Sequence, residues 1–415
     1  MALYTFIAPP LAGHYGPMEA LAGGLIDRGH RAIFVDLPGA ESLLTDPRIG
    51  FMALPGAAPG TLERTTARLV GQGGLRHLPT LLADMRARFA AFSAGLPDAL
   101  ARIGVQCLVV DQLEPAGGLV ARHLGLPCLT LACALPIDRD PALPPPFTGW
   151  SWRTGALARL RNSGGWWVQD RLLAGLNADI ARQAAGWGLH ADSMAACQSP
   201  VAIAQTVAGF DFPRSTKALL PLGPLRAPPR AARPLTPPSG SGPLIFASLG
   251  TLQGGRADVF AAIAQAVQRL GGRLIIAHGG RLANAHIAAL PGQTLAVDFV
   301  DQTALLPHVD AVISHGGLNT TMDSLAAGRP LIIVPFAFEQ AAIGARLVRS
   351  GAGLVVAPGP RLAQRLIEPL TGLLGLPEYR VAAARLATEI AGAGGLVRAV
   401  AIADALPTSR HAEAA

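Results

Sequence analysis

The sequence has few charged residues and almost no lysine, and these shortages narrow the classes of function. Only 15% of the 415 residues are charged, and Lys217 is the single lysine among 34 basic residues. Basic residues still exceed the 27 acidic ones, which gives a formal net charge of +7. The arginines form no stripe interleaved with aromatic residues, the pattern typical of nucleic-acid-binding surfaces. We therefore expect no nucleic-acid partner.

Cysteine and long apolar runs are also scarce. The four cysteines, at positions 107, 128, 133 and 197, form no C-x-x-C pair, so we expect buried, reduced thiols. No apolar run reaches the roughly 18 residues of a membrane span, and the first ten residues lack the basic segment of a secretory signal. These absences predict a cytoplasmic protein, and its surplus of arginine predicts a peripheral contact with the cytoplasmic membrane.

Half of the residues are apolar, which excludes intrinsic disorder. Short apolar runs alternate with longer amphipathic segments, the pattern of parallel α/β proteins. The runs predict strands at residues 3–8, 31–36, 106–110, 128–132, 201–205, 244–247, 273–277, 295–299, 311–313 and 331–334. The amphipathic segments predict helices at residues 17–28, 78–103, 115–124, 166–185, 257–270, 317–327 and 339–350, and further helices to about residue 406.

A segment rich in proline, glycine and serine at residues 225–242 interrupts this alternation and reads as a linker. We therefore predict two doubly wound, Rossmann-like parallel-sheet domains facing a cleft, at residues 1–224 and 243–385. Residues 386–406 are predicted to be C-terminal helices that return to the first domain, and residues 407–415 to be a frayed tail. The cleft between the domains is the expected site.

The richest pattern in the second half begins with His315, which follows a predicted strand and precedes Gly316 and Gly317. Two glycines allow a ligand to approach the backbone, and the free N–H groups of a helix N-terminus favour an anion such as a diphosphate. Asn319 and Thr320 add donors on the first turn. One turn further, Asp323 can accept from ribose hydroxyls, while Glu339 and Gln340 open the next helix and can bind a sugar.

The first half offers a candidate base. His14 follows the first strand in a predicted loop, and its neutral imidazole can accept a proton near pH 7. Asp111 ends another strand at the same sheet edge and can fix the tautomer of the histidine. Glu114 is the weaker candidate for that role, and a capping or structural role for His14 stays open. His278, after a strand that faces the cleft, is a candidate supporting donor.

No metal is expected. Asp138 and Asp140 form a D-x-D pattern, but they lie in a proline-rich segment rather than at a strand end. A helix N-terminus can meet the charge of a leaving diphosphate without a metal.

Taken together, the second-half residues resemble the signature of the UDP-dependent glycosyltransferases of the GT-B fold. The resemblance implies that the diphosphate is bound by His315, Gly317, Asn319 and Thr320, the ribose by Asp323, and the sugar hydroxyls by Glu339 and Gln340. Phe299, Val300 and Gln302 occupy the base-stacking motif. The chain departs from the family pattern at three positions, where Phe299, Asp323 and Glu339 stand in place of Trp, Glu and Asp.

Six further stretches narrow the resemblance to the bacterial zeaxanthin glucosyltransferases: residues 8–10, 110–117, 132–136, 211–214, 223–226 and 246–254. Ser248 and Thr251 are placed like the family's loop that approaches the phosphates. The resemblance implies inverting transfer of glucose from UDP-glucose to a hydroxyl of a carotenoid, with His14 as base and Asp111 as its partner. It makes the first domain the acceptor-binding domain and the second the nucleotide-sugar-binding domain, with no cofactor beyond the nucleotide sugar.

Several alternatives stay open at this point. Trp150, Trp166 and Trp167 line an apolar acceptor site, form a patch that contacts a membrane, or serve ordinary packing. The acceptor is alternatively a macrolide, a sterol or another lipid, and the donor carries dTDP instead of UDP. The remaining alternatives are a nucleotide-sugar epimerase and a non-catalytic protein that binds a partner transferase. The presence of both His14 and Asp111 argues against a non-catalytic protein.

Overall fold

The computed structural model describes residues 1–70, 77–215, 219–227 and 235–413, and these form two parallel sheets with flanking helices. The first sheet contains β1 (Leu3–Ile7), β2 (Arg31–Asp36), β3 (Gly50–Ala53), β4 (Cys107–Asp111), β5 (Cys128–Ala132), β6 (Ala202–Ala204) and β7 (Leu220–Pro221). Its helices are α1 (Ala12–Ile26), α2 (Thr61–Leu69), α3 (Leu78–Ile103), α4 (Pro115–His123), α5 (Ala156–Leu172) and α6 (Ala174–Gly186).

The second sheet contains β8 (Leu244–Ser248), β9 (Arg273–Ala277), β10 (Gln293–Val297), β11 (Ala311–Ser314), β12 (Leu331–Ile333) and β13 (Gly353–Val355). Its helices are α7 (Gly250–Gln253), α8 (Ala257–Arg269), α9 (Asn284–Ala288), α10 (Gln302–Leu305), α11 (Leu318–Ala326), α12 (Gln340–Ser350), α13 (Leu362–Gly375) and α14 (Pro377–Gly392). The last helix, α15 (Gly395–Glu413), follows α14.

Both sheets are doubly wound, as predicted. The strand order is β3-β2-β1-β4-β5-β6-β7 in the first sheet and β10-β9-β8-β11-β12-β13 in the second. The order reverses between β1 and β4 and again between β8 and β11. In such sheets the crevice at the carboxyl ends of the strands beside the reversal is the usual ligand site. The topology therefore marks the ends of β1, β4, β8 and β11.

Several predicted strand bounds agree with the structure, and the differences have local causes. The bounds of β2, β5 and β9 agree with the prediction. The strands β3, β7 and β13 were not predicted, because each has only two to four residues and lies at or next to a sheet edge, where no long apolar run is needed. The predicted helix at residues 166–185 is two helices, α5 and α6, which meet at Leu173.

The chain end packs on the chain beginning. Ala399, Val400, Ala403 and Leu406 of α15 are buried in the core of the first domain. The Tyr4 hydroxyl donates to the Ala403 carbonyl at 2.8 Å. The predicted domain limits stay predictions, and residues 228–234 of the predicted linker lie outside the described residues. The helical backbone of α15 continues to Glu413, past the predicted end at residue 406, and residues 414–415 of the predicted tail are not described.

One helical segment, Pro377–Leu406, is long and apolar enough by composition alone to cross a membrane, although charged residues such as Arg385 and Glu389 interrupt its apolar runs. Two helices divide it, with a break at Gly394, whose φ is 97°. The first of them, α14, packs against α11, whereas α15 packs against α1. Each helix thus buries one face on a different domain.

A buried ion pair joins the two domains. Arg346 of α12 donates from Nε to Asp211 Oδ1 at 2.6 Å, and both side chains are almost fully buried. Arg214 donates to the other oxygen of Asp211 at 2.8 Å. Burial raises the pKa of Asp211, but the two guanidinium groups outweigh it and hold that pKa below its usual value. The carboxylate is therefore ionised at neutral pH.

The close packing of α4 gives a test of the fold. A Cβ at Gly118 would lie 1.9 Å from the Cys197 carbonyl oxygen, which is backbone and cannot move aside alone. We expect Gly118→Ala to lower the free energy of unfolding by about 1–3 kcal/mol, the usual cost of overpacking. The control is Gly164→Ala in α5, where no atom lies within 4 Å of the added Cβ. Thermal unfolding midpoints of both variants check this, and equal midpoints would contradict the α4 packing.

Candidate active site

His14 and Asp111 meet at the reversal point of the first sheet. His14 is the third residue of α1, which follows β1, and Asp111 is the last residue of β4. His14 Nδ1 lies 2.8 Å from Asp111 Oδ2, while Asp111 Oδ1 accepts from the Leu113 N–H at 2.8 Å. The Asp111 side chain is fully buried and 13% of the His14 side chain is exposed. The pair is therefore held rigidly and opens to solvent on the histidine side.

This pairing fixes the tautomer of His14. An ionised carboxylate only accepts hydrogen bonds, so Nδ1 of the neutral imidazole donates to Asp111 and its Nε2 keeps the lone pair. Burial lowers the pKa of His14, but the charge and hydrogen bond of Asp111 and the charge of Glu339 outweigh it, leaving the pKa above 6.5. Glu339 belongs to the second domain, so both domains set the basicity of this imidazole.

We predicted that His14 lies in a loop, but it lies in the first turn of α1. The helix α1 begins at Ala12 and includes Pro17. Because proline has no N–H, Pro17 cannot bond to the carbonyl four residues earlier, which is that of Gly13. The side chain of Asn319 takes this carbonyl, with Nδ2 donating to Gly13 O at 2.7 Å. A contact from the second domain thus anchors the turn that carries His14.

Asn319 has a second partner in the first domain, since Gln205 donates to its Oδ1 at 3.3 Å. Its side chain therefore joins the domains. The predicted role of Asn319 in binding a diphosphate stays a prediction, and its backbone N–H on the first turn of α11 is the group that such a role would use.

The turn between β11 and α11 is built from glycine and one histidine. Gly316 has a φ of 88°, and Gly317 is the N-cap residue of α11. A Cβ at Gly317 would lie 2.6 Å from the His315 ring, and a Cβ at Gly250 would lie 2.8 Å from it. Both positions therefore require glycine, and the imidazole is held between two backbone segments. The N-terminus of α11 has no side-chain cap among the described residues.

His315 is a neutral, incompletely satisfied group. Burial lowers its pKa to about 4, and the Ser248 backbone offsets only part of this effect. Its Nδ1 is buried and has no hydrogen-bond partner among the described residues. At neutral pH the ring thus offers a hydrogen bond rather than a positive charge. An unpaired buried polar atom costs free energy, which is typical of a position completed by a ligand.

The predicted Ser248 and Thr251 lie next to this turn. Ser248 ends β8 beside Ser314, which ends β11. Ser248 Oγ accepts from the Gly250 N–H at 3.4 Å, and Ser314 Oγ accepts from the Gly316 N–H at 3.1 Å. Thr251 lies in the four-residue helix α7 rather than in the predicted loop. The hydroxyl groups of both serines therefore hold the turns at the second reversal point.

Arg226 lies at the site, although no functional role was predicted for it from the sequence. Its Nε donates to Asp323 Oδ1 at 2.8 Å and its Nη1 to Gln205 Oε1 at 3.1 Å. Its Nη2 is buried without a partner among the described residues. Burial raises the pKa of Asp323, and Arg226 only partly offsets this rise. The signal in the sequence was that Arg226 ends the 223–226 stretch, inside the predicted linker.

The side chain of Gln340 forms hydrogen bonds with the backbone that could not be predicted from its position in the sequence. Its Oε1 accepts from the backbone N–H groups of Phe336 and Ala337 at 2.7 and 3.0 Å. In the same loop, Phe338 has a φ of 54°, which a non-glycine residue rarely adopts. Glu339 follows it, and burial raises the pKa of its carboxyl. The loop is therefore held in a strained form, and the predicted sugar contacts of Glu339 and Gln340 stay predictions.

The predicted base-stacking residues lie before α10. Phe299 is 71% exposed, and Val300 packs against the core of the second domain. Gln302 begins α10, and its Oε1 is buried without a partner among the described residues. An exposed ring next to an unsatisfied amide fits a planar polar ligand, and these roles too stay predictions.

Of the three tryptophans, Trp166 is the most buried. This residue is 3% exposed, and its Nε1 donates to the Leu143 carbonyl at 3.1 Å, so it packs the loop before α5. Trp150 contacts Gly165 on the same side of α5. Trp167 is 58% exposed on the opposite side of the helix. The predicted acceptor contacts of the tryptophans stay predictions.

The other candidate residues form hydrogen bonds or ion pairs with residues of the same chain. Glu114 accepts from Arg88, and burial raises its pKa to about 7, so it does not pair with His14. His278 Nδ1 accepts from the Arg281 and Leu282 N–H groups at 3.2 Å each. Asp138 pairs with Arg214.

One group of described side chains could hold a metal. It consists of His14, Asp111 and Cys133, whose ligand atoms lie within 4.8 Å of one another. Burial raises the pKa of the Cys133 thiol well above its usual value, so the thiol keeps its proton. A protonated thiol is a poor ligand, and the expectation of no metal stays a prediction.

Comparisons with known proteins show which proteins the chain resembles in sequence and in fold. Residues 261–395 match the family model described as Erythromycin biosynthesis protein CIII-like, C-terminal domain. The chain is 37% identical to a zeaxanthin glucosyltransferase of Pseudescherichia vulneris, covering 96% of both chains. It is 34% identical to a zeaxanthin glucosyltransferase of Pantoea ananas, covering 96% of this chain and 94% of the relative. The crystal structure of the calicheamicin glycosyltransferase superposes with a TM-score of 0.72 at 21% identity, over 98% of each chain.

The two histidines should titrate far apart. By NMR of labelled histidine we expect a pKa above 6.5 for His14 and about 4 for His315. In Asp111→Asn the raising charge is lost while burial remains, so the pKa of His14 should fall; Glu339→Gln should lower it less. Assignment uses His14→Gln and His315→Gln. An unchanged His14 pKa in Asp111→Asn would contradict the described pairing.

Proposed function

The chain belongs to the glycosyltransferase family of these zeaxanthin glucosyltransferases, and on that premise we propose that it transfers glucose from UDP-glucose to a hydroxyl of a carotenoid with inversion at the anomeric carbon. Its fold is the GT-B fold, as predicted. The observation that carries the proposal is the His14–Asp111 pair at 2.8 Å, whose imidazole also senses Glu339 of the opposite domain.

The proposed reaction is one displacement. His14 Nε2 removes the proton of the acceptor hydroxyl, and the acceptor oxygen forms a bond to the anomeric carbon. The bond from that carbon to the phosphate oxygen breaks, and the nucleotide diphosphate leaves with the electron pair. Asp111 stabilises the imidazolium that forms, as an acid partner does in hydrolase triads. A single displacement from the face opposite the leaving group inverts the configuration.

The second domain is proposed to bind the leaving group. The uncapped N-terminus of α11 presents backbone N–H groups and the positive end of a helix dipole, which favour a diphosphate. The neutral ring of His315 adds a hydrogen bond. Because these groups are fixed by the glycine turn, little reorganisation is needed as charge develops on the diphosphate.

The choice of donor is proposed to depend on contacts with the nucleotide and on contacts with the sugar. Phe299 is proposed to stack on the uracil base, with Val300 and Gln302 beside it, and Asp323 to accept from the ribose. Since Gln340 Oε1 already accepts from two backbone N–H groups, its amide NH₂ is the part left for a glucose hydroxyl, and Glu339 can accept from another. A dTDP sugar is the alternative donor.

The acceptor is proposed from the relatives, both of which are named for zeaxanthin. A macrolide, a sterol or another lipid remains the alternative acceptor. Because a carotenoid resides in a bilayer, we also propose that the protein works at the cytoplasmic membrane as a peripheral protein.

The whole proposal is tested by incubating the protein with zeaxanthin and either UDP-glucose or dTDP-glucose. We expect a mass increase of one or two hexoses with UDP-glucose, and a β-linkage by NMR because the donor is the α-anomer. Transfer to a macrolide or sterol but not to zeaxanthin would overturn the acceptor, and an α-linkage would overturn the inverting mechanism.

Two substitutions separate base from phosphate binding. His14→Ala should lower turnover about 10²–10⁴-fold, the usual contribution of a general base. It should leave the affinity for free UDP unchanged, because the proposed nucleotide contacts lie in the other domain. His315→Ala should weaken binding of free UDP, since a ligand hydrogen bond is lost. Calorimetry of UDP binding with parallel rates checks both. Equal UDP affinity in His315→Ala and wild type would remove the phosphate role of His315.

A further inference from the structure

The helix α5 is apolar on the side that faces solvent. Leu157, Leu160, Trp167 and Val168 are 83%, 71%, 58% and 43% exposed. Their spacing places them on one face of the helix, because residues three, four and seven apart share a face. We name these four residues the α5 apolar face. The exposed face of a helix in a folded domain is normally polar, so this face calls for a partner.

The opposite face of α5 is already used. Ala158, Asn162, Gly165 and Trp166 are buried there. Gly165 packs so closely on Trp150 and Pro145 that a Cβ would lie 2.9 Å from each. This face therefore holds the loop at residues 141–155, and the α5 apolar face has no such role among the described residues.

The loop held by α5 reaches the cleft. A Cβ at Gly149 would lie 3.0 Å from the Cβ of Ala341, which follows Gln340 at the start of α12. Arg349 of the same helix lies over the Trp152 ring at 5.3 Å. The loop thus spans from the buried face of α5 to the second domain beside Glu339 and Gln340. A surface that docks through α5 would lie next to the site.

Arginines lie near both ends of the α5 apolar face. Arg153, three residues before α5 begins, is exposed and forms no salt bridge with a described residue. Arg171 is exposed and lies over the Trp167 ring at 5.3 Å. The acid of this helix, Asp170, is paired with Arg139 at 2.7 Å. An apolar helix face framed by arginine matches the chemistry of an interfacial helix on anionic lipid.

We propose that the α5 apolar face docks on an anionic lipid bilayer, with Leu157 and Leu160 entering the acyl boundary and Arg153 and Arg171 contacting lipid phosphates. This inference rests on the proposed carotenoid acceptor, because docking there brings the 141–155 loop to the membrane in which that acceptor resides. A second copy of the chain fits less well, since a symmetric contact through α5 would bring its arginines against one another.

The test is co-sedimentation with phosphatidylcholine vesicles containing or lacking phosphatidylglycerol. Leu157→Ser/Leu160→Ser should lower the partition constant on anionic vesicles about tenfold or more, because two exposed apolar side chains no longer enter the bilayer. Arg153→Gln/Arg171→Gln should lower it about tenfold and reduce its dependence on salt.

The matched control lies in the other apolar segment. Val381 and Val397 are 66% and 76% exposed within Pro377–Leu406. Val381→Ser/Val397→Ser should bind vesicles like the wild type. If this control loses binding while the leucine variant keeps it, the C-terminal helices and not α5 contact the membrane, and the proposal is overturned. Self-association in sedimentation velocity that is lost in the leucine variant, with vesicle binding unchanged, would assign the face to a second copy.

Activity separates the surface from the proposed function. With zeaxanthin in detergent micelles, Leu157→Ser/Leu160→Ser should transfer glucose at the wild-type rate, and with zeaxanthin in anionic vesicles it should be slower. His14→Ala should bind vesicles normally and be slow in both assays. Vesicle binding that depends on the leucines without any transfer to zeaxanthin would reject the acceptor but keep the surface. Equal rates of the leucine variant and the wild type on vesicles would reject the surface.

Discussion

The ion pair between Arg346 and Asp211 is the constraint on which the geometry of the site depends. Removing two charges from water is costly, and the cost is repaid only when the pair is well aligned and its remaining hydrogen-bond capacity is used. Both conditions hold here, because Asp211 accepts from Arg346 and Arg214 and the Arg346 guanidinium stacks on the Phe212 ring at 4.2 Å. The pair fixes α12, and α12 carries Glu339 and Gln340 at its other end. A charge buried far from the chemistry therefore sets where the second domain meets His14.

The ion pair holds together two domains that each supply part of the proposed site. The base belongs to the first sheet and the anion-binding turn to the second, and each lies at a reversal of strand order. Asn319 of the second domain contacts the first domain twice, through the Gly13 carbonyl and the Gln205 side chain. Arg226 of the predicted linker donates to Asp323. The contact with Gly13 exists because Pro17 leaves a carbonyl of α1 without its helical donor. A residue that weakens a helix locally thus creates the acceptor that ties the base to the opposite domain.

The sequence could predict the framework of the site because strand ends obey a simple rule. In a parallel sheet all carboxyl ends share one edge, so the residues that follow or end the strands were enough to make Asp111 the best candidate partner of His14. Contacts formed by long side chains across the cleft do not follow from such a rule. Arg226 and Gln340 depend on rotamers and on partners far apart in the chain, and Trp166 depends on which face of α5 is covered. The start of α1 was misjudged because proline favours the first turn of a helix, whereas here the helix begins five residues earlier.

Because α15 packs on the first domain, the order of translation decides which domain can be completed first. The strands of the second sheet are contiguous, so all of them have been synthesised once residue 355 has emerged from the ribosome. The first core, however, includes Ala399, Val400, Ala403 and Leu406, which are translated after every strand of the second sheet. Until then the hydroxyl of Tyr4 lacks its acceptor, and the small surface at Gly24 that receives Val400 is uncovered. The domain that is translated first is therefore the last to be completed, and a chain truncated before α15 leaves the ribosome with an open first core and a finished second sheet.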